Sequence, residues 1–536
     1  MNTESDAVNQ EKSANLNFYT IRVALIVALG GFLMGFDASV ISGVVKFIEP
    51  EFQLSKIELG WSVASLALTA TFAMLVSGPL SDKIGRKRVL QLAAILFALS
   101  ALLSALAPSF VILVIARMLG GLGVGAALII APIYIAEISP AQKRGFMVSF
   151  NQLNIVIGIS VAFFSNYVIL QLANSSADWL VALNLSQYQW RWMLGVEFIP
   201  AIIYFLALFI VPESPRWQMM NQQVGAATET LRKTLTATEA QQLIGEISTN
   251  DQFNSEKNSQ QLALTESVKQ LLSPKLRLVL LVGVAIAILQ QITGINSVFF
   301  YAPMIFEQTG LGTDAAFMQA VYVGLTNLVF TLVAIAVIDK LGRKPLLVIG
   351  VSGIALCMFT LAYGFNSASY QLTTELIAPL PEQIQQSLLA LVGQTFSQEQ
   401  EFKQALLVVL NQEQFQQYQS ELTLSAITIN SQLILLAILA FVACFAISLG
   451  PVMWVLFSEL FPNQIRGIAI ALVGLINSAV SFLVQLLFPW QLAQLGAAWT
   501  FAGYGIFAAL GLLIILKWLP ETKGKSLEAL EKELCR

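Results

Sequence analysis

The sequence predicts an all-α integral membrane protein. Twelve transmembrane helices form two six-helix halves, joined by short linker helices on the cytoplasmic side. Three observations lead there. Hydrophobic residues make up 56% of the 536 positions and charged residues 11%, where a soluble domain carries about 25% charge. Twelve apolar runs each reach the roughly 20 residues that a helix needs to cross a bilayer. A set of short motifs occurs twice, in the same order.

The runs justify the helices one by one. They fall at about 20–46, 57–80, 88–108, 110–136, 146–172 and 192–211, then at about 277–308, 317–338, 345–365, 426–460, 467–489 and 496–519. Residues 1–19 are polar and lead straight into a full-length span, so no cleavable signal peptide is expected. Residues 212–276 are polar with weak helical periodicity, as in VGAATETLRKTLTATEAQQLIGEI, and read as linker helices; the part around NDQFNSEKNSQ also fits a disordered linker. Residues 520–536 form a tail. Lys and Arg set the sidedness. They gather in SDKIGRKR, SPAQKRG, the 212–276 stretch, DKLGRK and NQIRG, while loops 173–189 and 309–316 have none. Both termini are therefore expected in the cytoplasm. The loop 366–425 has only Lys403 against six acids, falls outside, and has helical character in SQEQEFKQALLVVLNQEQFQQYQ. It reads first as a tolerated insertion, with an extracellular cap as the alternative.

The repeats define the halves, 20–211 and 277–519. DKIGRK at 82–87 returns as DKLGRK at 339–344, EISPAQKRG at 137–145 as ELFPNQIRG at 459–467, and PESPR at 212–216 as PETKG at 520–524. The spacing between copies grows from 257 to 322 residues between the first and second motifs, and the 366–425 loop accounts for most of that growth.

Charge and composition exclude several functions. A net charge of −3 and a pI near 5.4 give no sign of nucleic-acid binding. Cys357, Cys444 and Cys535 form no metal or redox pattern, and the first two read as small core residues. The chain has no histidine, so a proton carrier must be a carboxylate, a tyrosine or water. Asp37 lies in the middle of the first span, in LMGFDASVISG, and Arg117 lies inside VILVIARMLGGLGVGAALII. A carboxylate at bilayer depth costs roughly 2.5–3.5 kcal/mol on insertion scales, so it is rare unless paired or functional. An acid and a base buried in two spans suggest a proton-operated device; a static ion pair that specifies helix packing is the alternative. In QQITGINSVFFYAP, amides, a glycine and a proline interrupt an apolar span. Transporter sites lie near the midplane on such broken helices, and uncharged amides offer a polyol donors and acceptors together. Helix–helix hydrogen bonding is the alternative role for any single intramembrane amide. Trp454 follows GPVM at another break, a plausible hinge.

GFDASVISG, GPLSDKIGRK, RMLGGLGVG, PIYIAEISPAQKRG, PESPRW, QQITGIN, YAP, DKLGRK, GPVMWVLFSELFPNQIRG and PETKG, in this order, resemble the sugar porter family of the major facilitator superfamily. Within that family the chain resembles the bacterial proton–sugar symporters of the xylose–proton type. The resemblance covers about residues 20 to 525, excluding the outer insertion. It implies the major facilitator fold and a proton-coupled monosaccharide (hexose or pentose) symporter working by alternating access. Asp37 is then the proton carrier and Arg117 its partner. Arg stays protonated, so moving the two apart favours a proton on Asp37, and that linkage is reciprocal. The resemblance assigns Gln152, Gln290, Gln291, Asn296, Asn327, Trp454 and Asn477 to the sugar site. It also implies a cytoplasmic gate of inter-helix salt bridges among Asp82, Arg86, Lys87, Glu137, Arg144, Asp339, Arg343, Lys344, Glu459 and Arg466. Glu197, read as near the cytoplasmic end of its span, joins this gate. Three residues depart from the pattern: Ser478 stands where many relatives have Trp, Phe300 where sugar-contacting tyrosines occur, and Met34 where an aromatic is common. They point to a wider, less polar pocket.

The expected partners are a monosaccharide, protons and the lipid bilayer of the cell membrane, with no nucleic acid. No metal and no cofactor beyond the coupling proton are expected, and the working unit is a monomer. A facilitative uniporter is the first alternative. A non-transporting sugar sensor is the second, and the short tail counts against it. No nucleophile–base pair, metal cluster or phosphate loop supports an enzyme.

Overall fold

In the computed structural model, the described residues are 18–140, 143–234, 271–273, 276–461 and 465–523. The N-terminal segment 1–17, the linker stretch 235–270, most of the tail with Cys535, and the side chain of Asp339 lie outside them.

Long apolar helices dominate, because a chain in hydrocarbon must satisfy its backbone within each segment. The first half holds α1 (Phe18–Glu51), α2 (Lys56–Ile84), α3 (Arg86–Ala105), α4 (Phe110–Ile138), α5 (Arg144–Ala173), the short α6 (Asp178–Ala182), then α7 (Gln189–Gly195) and α8 (Phe198–Ala207). Two linker helices follow, α9 (Pro215–Met220) and α10 (Val224–Thr234). The second half holds α11 (Arg277–Ile292), α12 (Ile295–Phe300), α13 (Ala302–Glu307), α14 (Thr313–Leu341) and α15 (Arg343–Asn366), and after an inserted segment α20 (Ser431–Ile447), α21 (Leu449–Leu460) and α22 (Arg466–Trp518). Among the described residues, 11 helical stretches are long and apolar enough to cross a membrane. The 53-residue α22 is two helices joined at Gly496, whose backbone is non-helical. Dividing it gives the twelve spans that the apolar runs predict.

Several helices break inside the apolar layer, and the breaks position the polar residues. Val196 and Glu197 separate α7 from α8, Thr293 and Gly294 separate α11 from α12, and Ser448 separates α20 from α21 just before Gly450 and Pro451.

Packing divides the chain into two compact units. One comprises residues 1–41, 62–162 and 184–272; the other comprises 42–61, 163–183 and 273–536. The first has a core of Val23, Val27, Phe97, Ile130, Tyr134 and Tyr204, all buried. There α1 and α5 cross closely: a side chain at Gly35 would strike the Ile155 carbonyl, and one at Gly158 the Phe32 carbonyl. Small residues permit this approach where no hydrophobic force draws helices together. The second unit takes in the α1–α2 connection and the end of α5 along with the whole second half.

The inserted segment after α15 is a folded domain. It contains β1 (Ser369–Gln371), α16 (Thr374–Ile377), α17 (Glu382–Leu388), β2 (Thr395–Phe396), α18 (Glu399–Val409), α19 (Gln412–Ala426) and β3 (Ile427–Thr428). The strands form an antiparallel sheet in the order β2-β1-β3. Tyr370, Leu372, Ile384, Leu388, Phe402 and Leu406 form its own core, with Tyr370 stacked on Phe402 at 5.7 Å between ring centroids. Asn411 and Gln414 close a capping box at the start of α19. Cys357 is buried and Cys444 half-buried, both as free thiols.

Candidate functional site

Asp37 on α1 and Arg117 on α4 meet inside the first unit. The Arg117 Nη1 donates to the Asp37 carbonyl at 3.0 Å and to its Oδ1. The two side chains are 1% and 2% exposed. Among the described residues, one carboxylate oxygen, Asp37 Oδ2, and the Arg117 Nε have no hydrogen-bond partner. Gly120, one turn along α4 from Arg117, makes the room. A Cβ there would lie 2.5 Å from Asp37 Oδ2 and 2.6 Å from Ser100 Oγ.

Glu197 corrects the sequence reading. It does not join the motif cluster at the helix ends but is buried, near enough to Asp37 and Arg117 for their charges to act on it, and its Oε1 makes no hydrogen bond among the described residues. The reason is positional. Its span begins at Gln189 and ends at Ala207, so at 1.5 Å per residue Glu197 stands about 12 Å in, near mid-helix. Arg117 is paired with Asp37, and Glu197 is a second buried acid within reach of that pair's charges.

The amides of the second unit form a connected chain. The Gln290 amide donates to the Leu449 carbonyl at 3.1 Å, satisfying a backbone group at the α20–α21 break. Gln291 donates to Gln290 Oε1 at 3.2 Å and to Asn477 Oδ1 at 3.1 Å. Asn477 returns a bond to Gln290 Oε1 at 2.8 Å and donates to the Ala287 carbonyl at 2.9 Å. Asn296 donates to Gln291 Oε1 at 2.7 Å and to Ser481 Oγ at 2.8 Å. Gln485 donates to the same Ser481 hydroxyl at 2.8 Å, and its carbonyl accepts from Tyr301 at 2.9 Å. Sequence reasoning missed Ser481, Gln485 and Tyr301. The i, i+4 spacing of Asn477, Ser481 and Gln485 was the available signal.

Among the described residues, the other sequence-predicted sugar residues make none of this amide chain's hydrogen bonds. Asn327 is buried on α14 but makes none of its bonds. Trp454 on α21 is 49% exposed, edge-on to Phe457 at 6.0 Å, with its ring tip against Gly474. Gln152 is exposed on α5, in the first unit.

The repeated charged motifs build the same device once in each unit. Arg86 pairs with Asp82 at 2.8 Å and with Glu137 at 3.3 Å, and Ser214 donates to Glu137. Arg343 pairs with Glu459 at 3.0 Å, and Thr522 donates to Glu459 at 2.6 Å. Glu213 accepts from the Lys87 and Ser214 amides at 3.1 and 2.8 Å; Glu521 accepts from the Arg343 and Lys344 amides at 3.2 and 3.1 Å. Each carboxylate thus caps the N-terminus of a span, α3 or α15, where the helix dipole and free N–H groups favour an anion. Gly85 (φ 101°) and Gly342 (φ 93°) make the tight turns, and a Cβ at either would collide with its glutamate. Burial pushes Glu213 up despite these amides and Arg86; around Glu521 burial also pushes up, but the amides prevail and the carboxyl is held below its ordinary value.

These pairs differ in detail from the expected gate. Arg144 and Arg466 donate to the Ala136 and Phe461 carbonyls at 3.1 Å each, while Glu137 and Glu459, seven residues before them, pair with Arg86 and Arg343. Lys87 and Lys344 donate their ammonium groups to the Phe209 and Leu516 carbonyls. Every pair described lies within one unit. Glu213 and Glu521 were visible in sequence only as the conserved letter of the PESPR/PETKG repeat.

Twelve spans, a buried Asp–Arg pair and an uncharged amide chain are the equipment of a transporter for a polar, neutral solute. Comparison with known proteins agrees. Relatives include the arabinose–proton symporter of Bacillus subtilis, 31% identical over 514 residues, covering 96% of this chain and 95% of that protein. The D-xylose–proton symporter of Escherichia coli is 33% identical over 549 residues, covering 96% and 95%. The inward-open structure of the xylose transporter XylE from E. coli superposes with a TM-score of 0.70 at 32% identity, covering 96% of this chain and 99% of that one. The profile of the "Sugar (and other) transporter" family matches residues 23–377 and 407–534. The helices, the duplicated motifs and this match together place the chain in that family of membrane transporters.

Proposed function

We propose that this protein is a proton-coupled monosaccharide importer working by alternating access. The observation that carries the reading is the buried group of Asp37, Arg117 and Glu197. Arg117 is permanently cationic, and the unpartnered Asp37 Oδ2 is available to a proton. Protonation of Asp37 releases Arg117, and Glu197 is the second carboxylate able to balance it. Loading a proton is then linked to a helix rearrangement, and the linkage runs both ways. A membrane potential of 100 mV supplies about 2.3 kcal/mol per charge moved, enough for roughly fiftyfold accumulation.

The amide chain of Gln290, Gln291, Asn296 and Asn477 is the sugar-binding surface, since each amide offers a hydroxyl both a donor and an acceptor. The relatives named for arabinose, xylose and glucose keep both pentoses and hexoses among the candidates. The protein resides in the cell membrane as a monomer with both termini in the cytoplasm, and the Asp82–Lys87 and Arg343–Lys344 motif ends face inward.

The test uses the purified chain in proteoliposomes. A panel of labelled monosaccharides should show accumulation driven by an imposed pH gradient and abolished by a protonophore. Asp37→Asn should lose accumulation yet retain sugar counterflow. Concentrative uptake that survives either the protonophore or Asp37→Asn would contradict the scheme, and simple equilibration by the wild type would identify a uniporter.

A further inference from the structure

At the end of the second unit remote from the Arg343 motif, segments from both halves of the sequence are fastened together. Lys46 of α1 lies 2.5 Å from Glu307 at the end of α13 and donates to the Thr313 hydroxyl as well. Asn174, just past α5, donates to Asp314 at 3.2 Å. Trp61 of α2 meets Phe482 edge-on at 5.5 Å, and a side chain at Gly60 would strike the Leu486 carbonyl. Three first-half segments are thereby seated on α13, α14 and α22.

The two jaws of the polar fastening flank one turn. Glu307 precedes residues 308–312, and Thr313 and Asp314 follow. That turn rests on the inserted domain. At Gly310 (φ 78°), a Cβ would lie 2.9 Å from the Ile427 side chain and 3.4 Å from the Leu424 and Ile427 carbonyls. The domain is compact on its own and pinched at its base, where β1 pairs with β3 through Ser369 and Thr428. Residues 378–406, inside it, fall outside the matched family profile.

We propose that Lys46, Glu307, Thr313, Asn174 and Asp314 form an outer gate, and that the inserted domain is its brace. The domain fixes the turn so that Glu307 and Thr313 present themselves to Lys46 when the outer side closes. Lys46 is 39% exposed, so the pair is weak enough to open in every cycle. This rests on the alternating-access reading, but on neither the sugar nor the coupling ion.

The test therefore reads gate position directly. In the full chain with its three native cysteines replaced, Ser481→Cys places a single thiol about 7.5 Å deeper along α22 than Leu486. Right-side-out vesicles are treated with a membrane-impermeant maleimide. Lys46→Glu and Glu307→Lys should each speed labelling by about fivefold, a modest shift of a two-state equilibrium, and the double reversal should restore the parent rate. Replacing residues 370–427 with a short Gly-Ser linker should speed labelling likewise, and Ile427→Ala should do so to a smaller extent. A double reversal that labels as fast as the singles overturns the gate. A linker variant that elutes as a single folded species yet labels at the parent rate overturns the brace; if that variant does not fold, an unchanged rate in Ile427→Ala does so. Loss of proton coupling with these labelling results intact would sink only the symport reading.

Discussion

Removing either acid beside Arg117 should be tolerated far better than removing both. In Asp37→Asn, the guanidinium keeps Glu197 as its counter-charge and loses one charged hydrogen bond, about 1.5–3 kcal/mol. Glu197→Gln should cost less, because Glu197 Oε1 makes no hydrogen bond among the described residues and the Asp37 pair stays intact. The double variant leaves a buried cation with no anion, the situation in which breaking a buried pair costs about 3–5 kcal/mol. The two substitutions should therefore be non-additive, with a coupling of about 1–3 kcal/mol. Arg117→Met, which strands two carboxylates, should be the most damaging single change. The measurement is denaturant titration of the detergent-solubilised protein for Asp37→Asn, Glu197→Gln, their double and Arg117→Met. Additivity within about 0.5 kcal/mol, or an Asp37→Asn variant as unstable as Arg117→Met, would refute the shared-cation argument.

Gln291 bonds to Gln290, Asn477 and Asn296, so Gln291→Ala removes three bonds and takes from Asn477 Oδ1 its donor. Sugar binding, followed by counterflow KM, should weaken by about 10- to 100-fold, the cost of one or two unmet buried hydrogen bonds, whereas Trp454→Phe should change it little if the amides dominate. The two helix-capping glutamates should separate by pH. Glu521 is held below its ordinary value, so its stabilisation is present above about pH 4.5 and fades as pH falls further. Glu521→Gln should lower Tm at pH 7 and progressively less as the pH falls below about 4.5. Glu213 is pushed up by burial, so the fold favours its protonated form and Glu213→Gln should be milder at pH 7; equal losses for both at pH 7 would count against this difference.

The spans were legible because bilayer thickness imposes one length on every helix. The duplicated charges were legible because a repeated sequence repeats its turns. Asp37 and Arg117 announced themselves by their cost in an apolar run. Glu197 misled because its distance was judged from the wrong end of the span, and a helix break beside it hides its depth. Glu213 and Glu521 could be seen as repeated letters, but that a carboxylate reaches back to the amides of a distant span is a tertiary fact. Lys46 and Glu307 are separated by 261 residues, so no local periodicity links them. The insertion reads as Gln-rich helix in sequence; its small sheet rests on two- and three-residue strands, too short to alternate detectably.

The amide chain has one more implication. Its members already satisfy one another, so an arriving hydroxyl gains a bond only by displacing one that exists. Recognition becomes a barter of near-equal contacts, with modest net enthalpy and shallow wells. Such a surface grips its cargo loosely and lets it go quickly, which suits a carrier whose throughput depends on emptying as much as on filling.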